Sequence, residues 1–267
     1  MMNKKIIVIT GAASGLGKAL ALAAAEQSYH VAVADVQDSA GLEVVKIIKD
    51  MGQDAAYFHC DVSEQSHVLN LKNQVLDYFG QVDVLVNNAG VGAQGTVCDS
   101  AEAQWMRQWQ INLMGVVRGC QAFVPELKKS EQPAIVNVAS FAAIALAPGV
   151  ASYNVVKAGV VALSETLRCE LAADQIGVSV VCPAFFKTNL VDSMHDANDK
   201  VKNQISRWMA KSNYTAEDVA AMILNAIEGK QFMVLCDKKT KWQHRISRWF
   251  PNYFYKQKLK MIKRMFK

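Results

Sequence analysis

The chain has 267 residues, 51% of them hydrophobic and 20% charged, with a formal net charge of +5 at pH 7, so it can bury a sizeable core as one α/β domain. Its six cysteines form no C-x-x-C pair and its five histidines are scattered, so we expect a reducing compartment and no metal ligands. No run approaches the ~20 apolar residues of a membrane span, and the apolar run after Lys4-Lys5 is too short for a signal peptide, so we expect a cytoplasmic protein.

The first strand and the glycine-rich turn after it predict a phosphate site. Residues 6–10 are apolar and β-branched, as in a buried parallel strand, and residues 18–27 are rich in Ala and Leu, as in a helix. Between them, Gly11 permits a tight turn, Gly15 lets the backbone approach a pyrophosphate, and Gly17 lets the helix pack on the strand. A glycine triplet alone also marks ordinary turns.

The second strand, residues 31–34, ends at Asp35, about eighteen residues after Gly17. A carboxylate in that place accepts hydrogen bonds from an adenosine ribose. It also repels a 2′-phosphate, and neither Ser14 nor Val36 supplies a compensating cation, so the sequence favours NAD over NADP. Taken alone, Asp35 could equally be a polar residue that caps a strand end.

Tyr153 and Lys157 stand four residues apart in a predicted helix, which places the phenol and the ammonium on one face. A phenol ionises near pH ~10, and a neighbouring positive charge lowers that pKa. The pair can therefore act as general acid and base at an alcohol or carbonyl oxygen. Many solvated helix faces carry the same pair by chance, so its weight comes from the glycine loop that precedes it.

Together these residues resemble the short-chain dehydrogenase/reductase superfamily, from residue 5 to about 190. The matching motifs, in family order, are Thr10-x-x-x-Gly15-x-Gly17 with Gly11, Asp61-Val62, Asn87-Asn88-Ala89-Gly90, Asn112, Ser140, Tyr153-x-x-x-Lys157, and Pro183 with Thr188. The resemblance implies a doubly wound, Rossmann-type parallel sheet of about seven strands, with helices on both faces, in a single domain over residues 1–237. Alternating strand and helix signals through residue 236 agree with this fold.

The resemblance also implies the roles of individual residues. Tyr153 would exchange the proton, Ser140 would hold the substrate oxygen, and Lys157 would bind the nicotinamide ribose and lower the pKa of Tyr153. Asn112, which alone would pass for a satisfied core amide in a long helix, would support a water relay behind Lys157. The implied cofactor-binding residues are Gly11, Ser14, Gly15, Leu16, Gly17, Asp35, Asp61, Val62, Asn88, Ala89, Gly90, Tyr153, Lys157, Pro183 and Thr188. Ala184 departs from the family's usual glycine.

The expected activity is NAD-dependent hydride transfer at a CH–OH or carbonyl group. Residues 184–213 are rich in large apolar side chains. As the family's substrate lid they favour a lipophilic substrate of the fatty alcohol or aldehyde, retinoid or sterol type. An apolar face packed on the core explains part of the same pattern. The alternative function is a dinucleotide sensor without turnover, which would not need all four catalytic residues. Family members often form homodimers or homotetramers through the helices that bear Asn112 and Tyr153.

Residues 238–267 form a basic extension, with eleven Lys or Arg and no acidic residue, whereas the rest of the chain has 18 basic and 24 acidic residues. Trp242, Ile246 and Trp249 follow helical spacing. A basic amphipathic helix with aromatic residues favours peripheral binding to an anionic membrane. The same apolar face could instead pack on the enzyme or on another subunit. We expect no nucleic-acid binding, because no recognition module is present.

Overall fold

The computed structural model describes residues 5–184, 207, 210, 212 and 214–265, with only the backbone of 261–265 described. Seven strands in this part of the chain form one parallel sheet in the order β3-β2-β1-β4-β5-β6-β7. The strands are β1 (Ile6–Thr10), β2 (His30–Asp35), β3 (Ala55–His59), β4 (Val84–Asn87), β5 (Ala134–Val138), β6 (Gly177–Val181) and β7 (Met233–Val234).

Helices cover both faces of the sheet, as predicted. They are α1 (Gly15–Glu26), α2 (Asp38–Asp50), α3 (Gln65–Phe79), α4 (Glu102–Gln108), α5 (Gly115–Leu127), α6 (Ala142–Ala145), α7 (Ala151–Glu170), α8 (Ala216–Glu228), α9 (Lys238–Trp249) and α10 (Pro251–Met265). One core lies between the sheet and α1, α2 and α8, and the other lies between the sheet and α3, α5 and α7. Every residue of β1, β4 and β5 is buried, because parallel strands in such a sheet are covered on both sides.

The strand order creates a crevice beside β1. This strand pairs with β2 on one side and with β4 on the other, so the connections that leave the carboxyl ends of β1 and β4 diverge to opposite sides. Ligands of doubly wound sheets bind at this point, outside the carboxyl ends of the strands. The predicted glycine loop follows β1, and residues 88–90 follow β4.

The predicted helix around Asn112 is not regular. Residues Trp109–Met114 form a π-helical turn between α4 and α5. Such turns usually arise from one extra residue within an α-helix and often lie at functional sites. The predicted long helix around Asn112 is therefore present, and the π-helical turn within it is a detail that sequence periodicity does not detect.

Thr10 and Asn88 connect the two loops that flank the crevice. The hydroxyl of Thr10 accepts hydrogen bonds from the backbone N–H groups of Asn88 (3.0 Å) and Ala89 (3.1 Å). The side-chain amide of Asn88 donates to the carbonyl oxygens of Thr10 (2.8 Å) and Gly11 (3.0 Å). Asn88, implied as a cofactor residue, thus also fixes the glycine loop.

No helix in the described ranges is long and apolar enough to cross a bilayer. Within the same residues, no group of three or more His, Cys, Asp or Glu side chains is arranged to hold a metal ion.

We predict that Thr10→Val lowers the free energy of unfolding by about 2 kcal/mol or more, because an isosteric methyl group leaves two backbone N–H groups without an acceptor. Urea denaturation measures this change. The matched control is Thr166→Val, whose exposed hydroxyl donates only to Ala162 O of its own helix, and it should change stability by less than about 0.5 kcal/mol. Equal unfolding midpoints for the two variants would contradict the proposed role of Thr10.

Candidate active site

The glycine loop has the backbone shape that a phosphate site needs. Gly11 and Gly15 have φ angles of +67° and +51°, a region that favours glycine. A Cβ atom on Gly17 would lie 2.1 Å from the carbonyl oxygen of Gly11, so the close approach of α1 to the loop requires glycine. The first turn of α1 contains no acidic residue, and Ser14 makes no side-chain capping hydrogen bond. The amide groups of this turn therefore suit a pyrophosphate.

Asp35 lies at the carboxyl end of β2, next to the glycine loop. Its carboxylate accepts hydrogen bonds from the backbone N–H groups of Ala13 (2.9 Å) and Gln37 (3.0 Å), and the side chain is 5% exposed. These bonds fix the carboxylate at the crevice.

Asp61 and Val62 follow β3, as predicted. One carboxylate oxygen of Asp61 accepts hydrogen bonds from the backbone N–H (2.8 Å) and the hydroxyl (2.7 Å) of Ser63. Val62 is buried, and its carbonyl accepts from the guanidinium of Arg118 at 3.2 Å. Asp61 also lines an open cleft of about 630 Å³ that none of the four catalytic candidates lines.

Gly90 lies between Asn112 and Lys157. A Cβ atom at Gly90 would be 2.6 Å from Asn112 Oδ1 and 3.4 Å from Lys157 Nζ. The structure therefore brings together three residues that the sequence places far apart. A side chain at position 90 would displace the Asn112 amide.

The π-helical turn points the Asn112 side chain at the loop after β4. Asn112 is fully buried; its Oδ1 accepts from Val91 N (3.1 Å), and its Nδ2 donates to Val91 O (3.0 Å) and to Gln108 Oε1 (2.6 Å). The amide thus has protein partners for both of its polar atoms. Gln108 also donates to Gly92 O at 3.1 Å, so two side chains from this region hold the loop. Gln108 was not identified from the sequence.

Ser140, Tyr153 and Lys157 come together at the carboxyl ends of β5 and β6. The Ser140 hydroxyl accepts from Ala142 N at 3.1 Å, which orients it at the start of α6. Burial raises the pKa of Tyr153 to about 12, whereas its hydrogen bond with Ser140 lowers that pKa and the nearby Cys182 raises it. The direction is opposite to the lowering expected from Lys157. In this structure the cost of burying a phenolate dominates.

Lys157 is buried at 3% exposure. Its ammonium donates to Val138 O at 2.9 Å and lies 5.8 Å from the centre of the Tyr153 ring. Burial lowers the pKa of Lys157 from 10.5 to about 8, although the nearby Cys182 raises it. The fold thus holds the Lys157 side chain beside Tyr153, although its ammonium loses the favourable solvation that water would give it.

The Cys182 thiol is an unpredicted member of this group, since the sequence pattern suggested only a small core hydrophobe. It is fully buried. Burial raises the pKa of this thiol to about 12, and the charge of Lys157 lowers it. A neutral thiol therefore forms part of the wall behind Tyr153 and Lys157. In the sequence, the indication of this role is the position of Cys182 at the end of β6, one residue before Pro183.

Pro183 lies beside Ser140, because its carbonyl accepts from Phe141 N at 2.8 Å. The loops after β5 and β6 are thus joined at the substrate side of the crevice. Thr188 and almost all of the expected lid, residues 184–213, lie outside the described residues.

Comparison with known proteins identifies a family. Residues 5–199 match the family described as short chain dehydrogenase. The chain is 35% identical over 207 residues to a protein of Staphylococcus epidermidis named 3-oxoacyl-[acyl-carrier-protein] reductase FabG, covering 76% of this chain and 84% of the relative. It is 32% identical over 235 residues to Probable oxidoreductase EphD of Mycobacterium tuberculosis, but spans only 40% of that protein against 85% of its own length.

Two solved structures share the fold. A short-chain dehydrogenase/reductase from Burkholderia phymatum in complex with NAD superposes with a TM-score of 0.86 at 32% identity, covering 93% of this chain and 95% of that one. An alcohol dehydrogenase from Thermococcus sibiricus complexed with 5-hydroxy-NADP superposes with a TM-score of 0.76 at 25% identity, covering 87% and 95%.

We predict that Lys157→Met stabilises the fold at pH 7 while it impairs the site. The depressed pKa of Lys157, from 10.5 to about 8, corresponds to a cost of about 3 kcal/mol below pH ~8. Because the pKa of Lys157 is lower in the folded state, the unfolded chain binds more protons at pH values between about 8 and 10.5. Stability of the native chain therefore rises relative to the variant over that interval, and the variant's advantage shrinks.

Urea denaturation of both proteins across this pH range measures the effect, with Lys46→Met as the control because Lys46 is exposed. A variant that is less stable than the native chain at pH 7, or an advantage that grows with pH, would contradict the prediction.

Proposed function

The chain belongs to the short-chain dehydrogenase family, and from that membership we propose that this oxidoreductase transfers a hydride between NAD and a CH–OH or carbonyl carbon of a lipophilic small molecule. One observation carries the proposal. Tyr153 lies close enough to Ser140 for that hydroxyl to lower its pKa, and its ring stands beside the buried ammonium of Lys157, at the carboxyl ends of the strands where such sheets bind ligands.

The side chains divide the work of proton transfer. Tyr153 removes the proton of a substrate hydroxyl, or returns one to a carbonyl oxygen in the reverse direction. Ser140 donates a hydrogen bond to that oxygen as its charge develops. Lys157 supplies the positive charge that favours a phenolate, and Asn112 holds the loop against which Lys157 lies. The pKa of about 12 at Tyr153 must fall before turnover, and added positive charge at the site would lower it.

The residues around the crevice fit a nicotinamide dinucleotide, which when bound accepts or donates the hydride. The amide groups at the start of α1 would hold its pyrophosphate, and Asp35 would accept from the adenosine ribose. Asp61, Val62 and the loop of residues 88–90 would contact the adenine and the adjoining ribose, and Pro183 and Thr188 the nicotinamide. We propose NAD over NADP because of the Asp35 carboxylate.

A lipophilic substrate is proposed from two observations. Residues 184–213 contain several large apolar side chains, and the staphylococcal relative is named for reduction of a 3-oxoacyl group, a carbonyl on a lipid chain. A fatty alcohol or aldehyde, a retinoid or a sterol would suit such a site.

We further propose a cytoplasmic enzyme that pairs into a homodimer or homotetramer and binds peripherally to an anionic membrane. Met106, Trp109 and Val155 are 48%, 43% and 52% exposed, and they supply apolar surface on the elements that bear Asn112 and Tyr153. The excess positive charge of residues 238–267 supports the membrane contact.

We predict that Tyr153→Phe keeps dinucleotide binding but lowers kcat by a factor of about 10²–10⁴. NADH absorbance after mixing with NAD and a panel of long-chain alcohols measures turnover, and NADH fluorescence measures binding. Tyr78→Phe is the control, because that phenol is exposed and bonds only Asp54. Native-like turnover in Tyr153→Phe would exclude Tyr153 from the chemistry. Dinucleotide binding by the native protein without turnover on any alcohol or ketone would favour the sensor alternative.

We predict that Asp35→Asn lowers the ratio of kcat/KM with NAD to kcat/KM with NADP by at least about tenfold, since removal of a fixed negative charge favours the 2′-phosphate. The ratio cancels any loss of folded enzyme. Asp50→Asn, at the exposed end of α2, should leave it unchanged. An unaltered ratio in Asp35→Asn would mean that Asp35 does not set the cofactor preference.

A further inference from the structure

Helix α9 packs on the enzyme with its polar side. Thr240, His244 and Ser247 repeat at helical spacing; Thr240 is 3% exposed, and the other two are half-buried. Burial lowers the pKa of His244, as does the nearby Arg248. These three residues therefore form the stripe that faces the protein.

The aromatic stripe of α9 faces the opposite way. Trp242 and Trp249 follow Thr240 and Ser247 by two positions, which turns them about 200° around the helix axis, and Ile246 between them is half-buried. Trp242 and Trp249 are 53% and 79% exposed. An amphipathic helix normally buries its apolar face. In α9 the two tryptophans are exposed instead, which disfavours the alternative that they pack on the enzyme's own body.

The exposed apolar surface continues beyond α9. Phe250, Tyr253 and Tyr255 are 59%, 49% and 58% exposed, whereas Phe254 is buried. Eight Lys or Arg side chains lie between residues 238 and 260, and within the described part of the chain only Arg248 among them forms an ion pair, with Glu165 at 3.5 Å. The other seven basic side chains of this segment have no carboxylate partner in the described structure.

Two contacts place α9 relative to the proposed active site. Arg248 reaches Glu165 on α7, and α9 packs on α6. Helix α6 begins two residues after Ser140, and α7 carries Tyr153 and Lys157. The exposed aromatic stripe thus lies on the same part of the molecule as the substrate side of the crevice.

We infer that the Trp242–Trp249 stripe of α9 inserts into the interface of an anionic bilayer, with the surrounding Lys and Arg on lipid phosphates, and that the enzyme draws its lipophilic substrate from that bilayer. This rests on the proposed function for the identity of the substrate. Tryptophan prefers the headgroup level of a bilayer, and long basic side chains reach the phosphates from an apolar surface.

Charge favours lipid over a second copy of this chain. A twofold contact between tails would bring two segments together that each carry eleven basic and no acidic residues, and like charges face each other in such an isologous contact. An anionic bilayer neutralises the same charges.

The test is co-sedimentation of the full-length protein with vesicles of phosphatidylglycerol and phosphatidylcholine, against vesicles of phosphatidylcholine alone. We expect binding to the anionic vesicles that weakens as salt rises. Trp242→Ser combined with Trp249→Ser should reduce it at least about tenfold. The matched control is Leu42→Ser with Leu69→Ser, which removes two exposed apolar side chains, 56% and 43% exposed, from α2 and α3.

Three results would overturn the inference: no binding of the native protein to anionic vesicles at low salt, equal loss of binding in the control, or native binding by the tryptophan variant. Sedimentation velocity that shows the tryptophan variant to be a smaller oligomer would assign the stripe to a protein interface instead. The Tyr153→Phe variant should bind vesicles like the native chain, so a failure of the proposed chemistry is distinguishable from a failure of lipid binding.

For the substrate route, KM for 1-dodecanol carried in anionic vesicles should rise in the tryptophan variant, and kcat/KM for a water-soluble short-chain alcohol should not change. Equal KM values for the vesicle-borne alcohol would exclude delivery from the bilayer.

Discussion

The hydrogen bonds between Thr10 and Asn88 join the two loops between which the crevice opens. They lie where the connections after β1 and β4 leave towards opposite faces of the sheet. The strand order alone does not hold these two connections together. With these loops fixed, Gly17 can approach Gly11 closely and Gly90 can lie against Asn112. The glycine loop and the loop beside the proposed catalytic residues are therefore joined directly by these hydrogen bonds.

The proposed active site combines a geometry that suits proton transfer with pKa shifts that disfavour the charged forms of its two titratable side chains. Burial raises the pKa of Tyr153 and lowers that of Lys157, so both side chains are neutral more readily than in water. The proposed proton transfer instead needs both groups in their charged forms, a phenolate beside an ammonium. A positive charge added beside the pair therefore has a large effect on the ionisation of both groups. The reason is that the low dielectric of the site strengthens every Coulombic interaction. A neutral Cys182 thiol in the wall adds no competing charge at neutral pH.

The sequence predicted much of this arrangement, because glycine spacing, strand ends and the Tyr153–Lys157 interval are local patterns with direct physical meaning. The first strand has the predicted bounds, Ile6–Thr10, and the second, predicted over residues 31–34, extends one residue further at each end, His30–Asp35. Two features required coordinates. The bonds from Gln108 and Asn112 to the loop after β4 join distant segments. The orientation of α9 depends on which of two faces meets the body, and its hydrophobic pattern favours the wrong one.

The π-helical turn has a consequence for the length of this part of the chain. Asn112 lies within the turn and Gln108 directly before it, and both side chains bond the loop after β4. Removal of one residue from 109–114 would restore regular α-helical winding and rotate everything on one side of the cut by about 100°. Either the amide or the helix that packs behind it would then face elsewhere. The number of residues in this segment is thus as important to the position of the Asn112 amide as the identity of residue 112 itself.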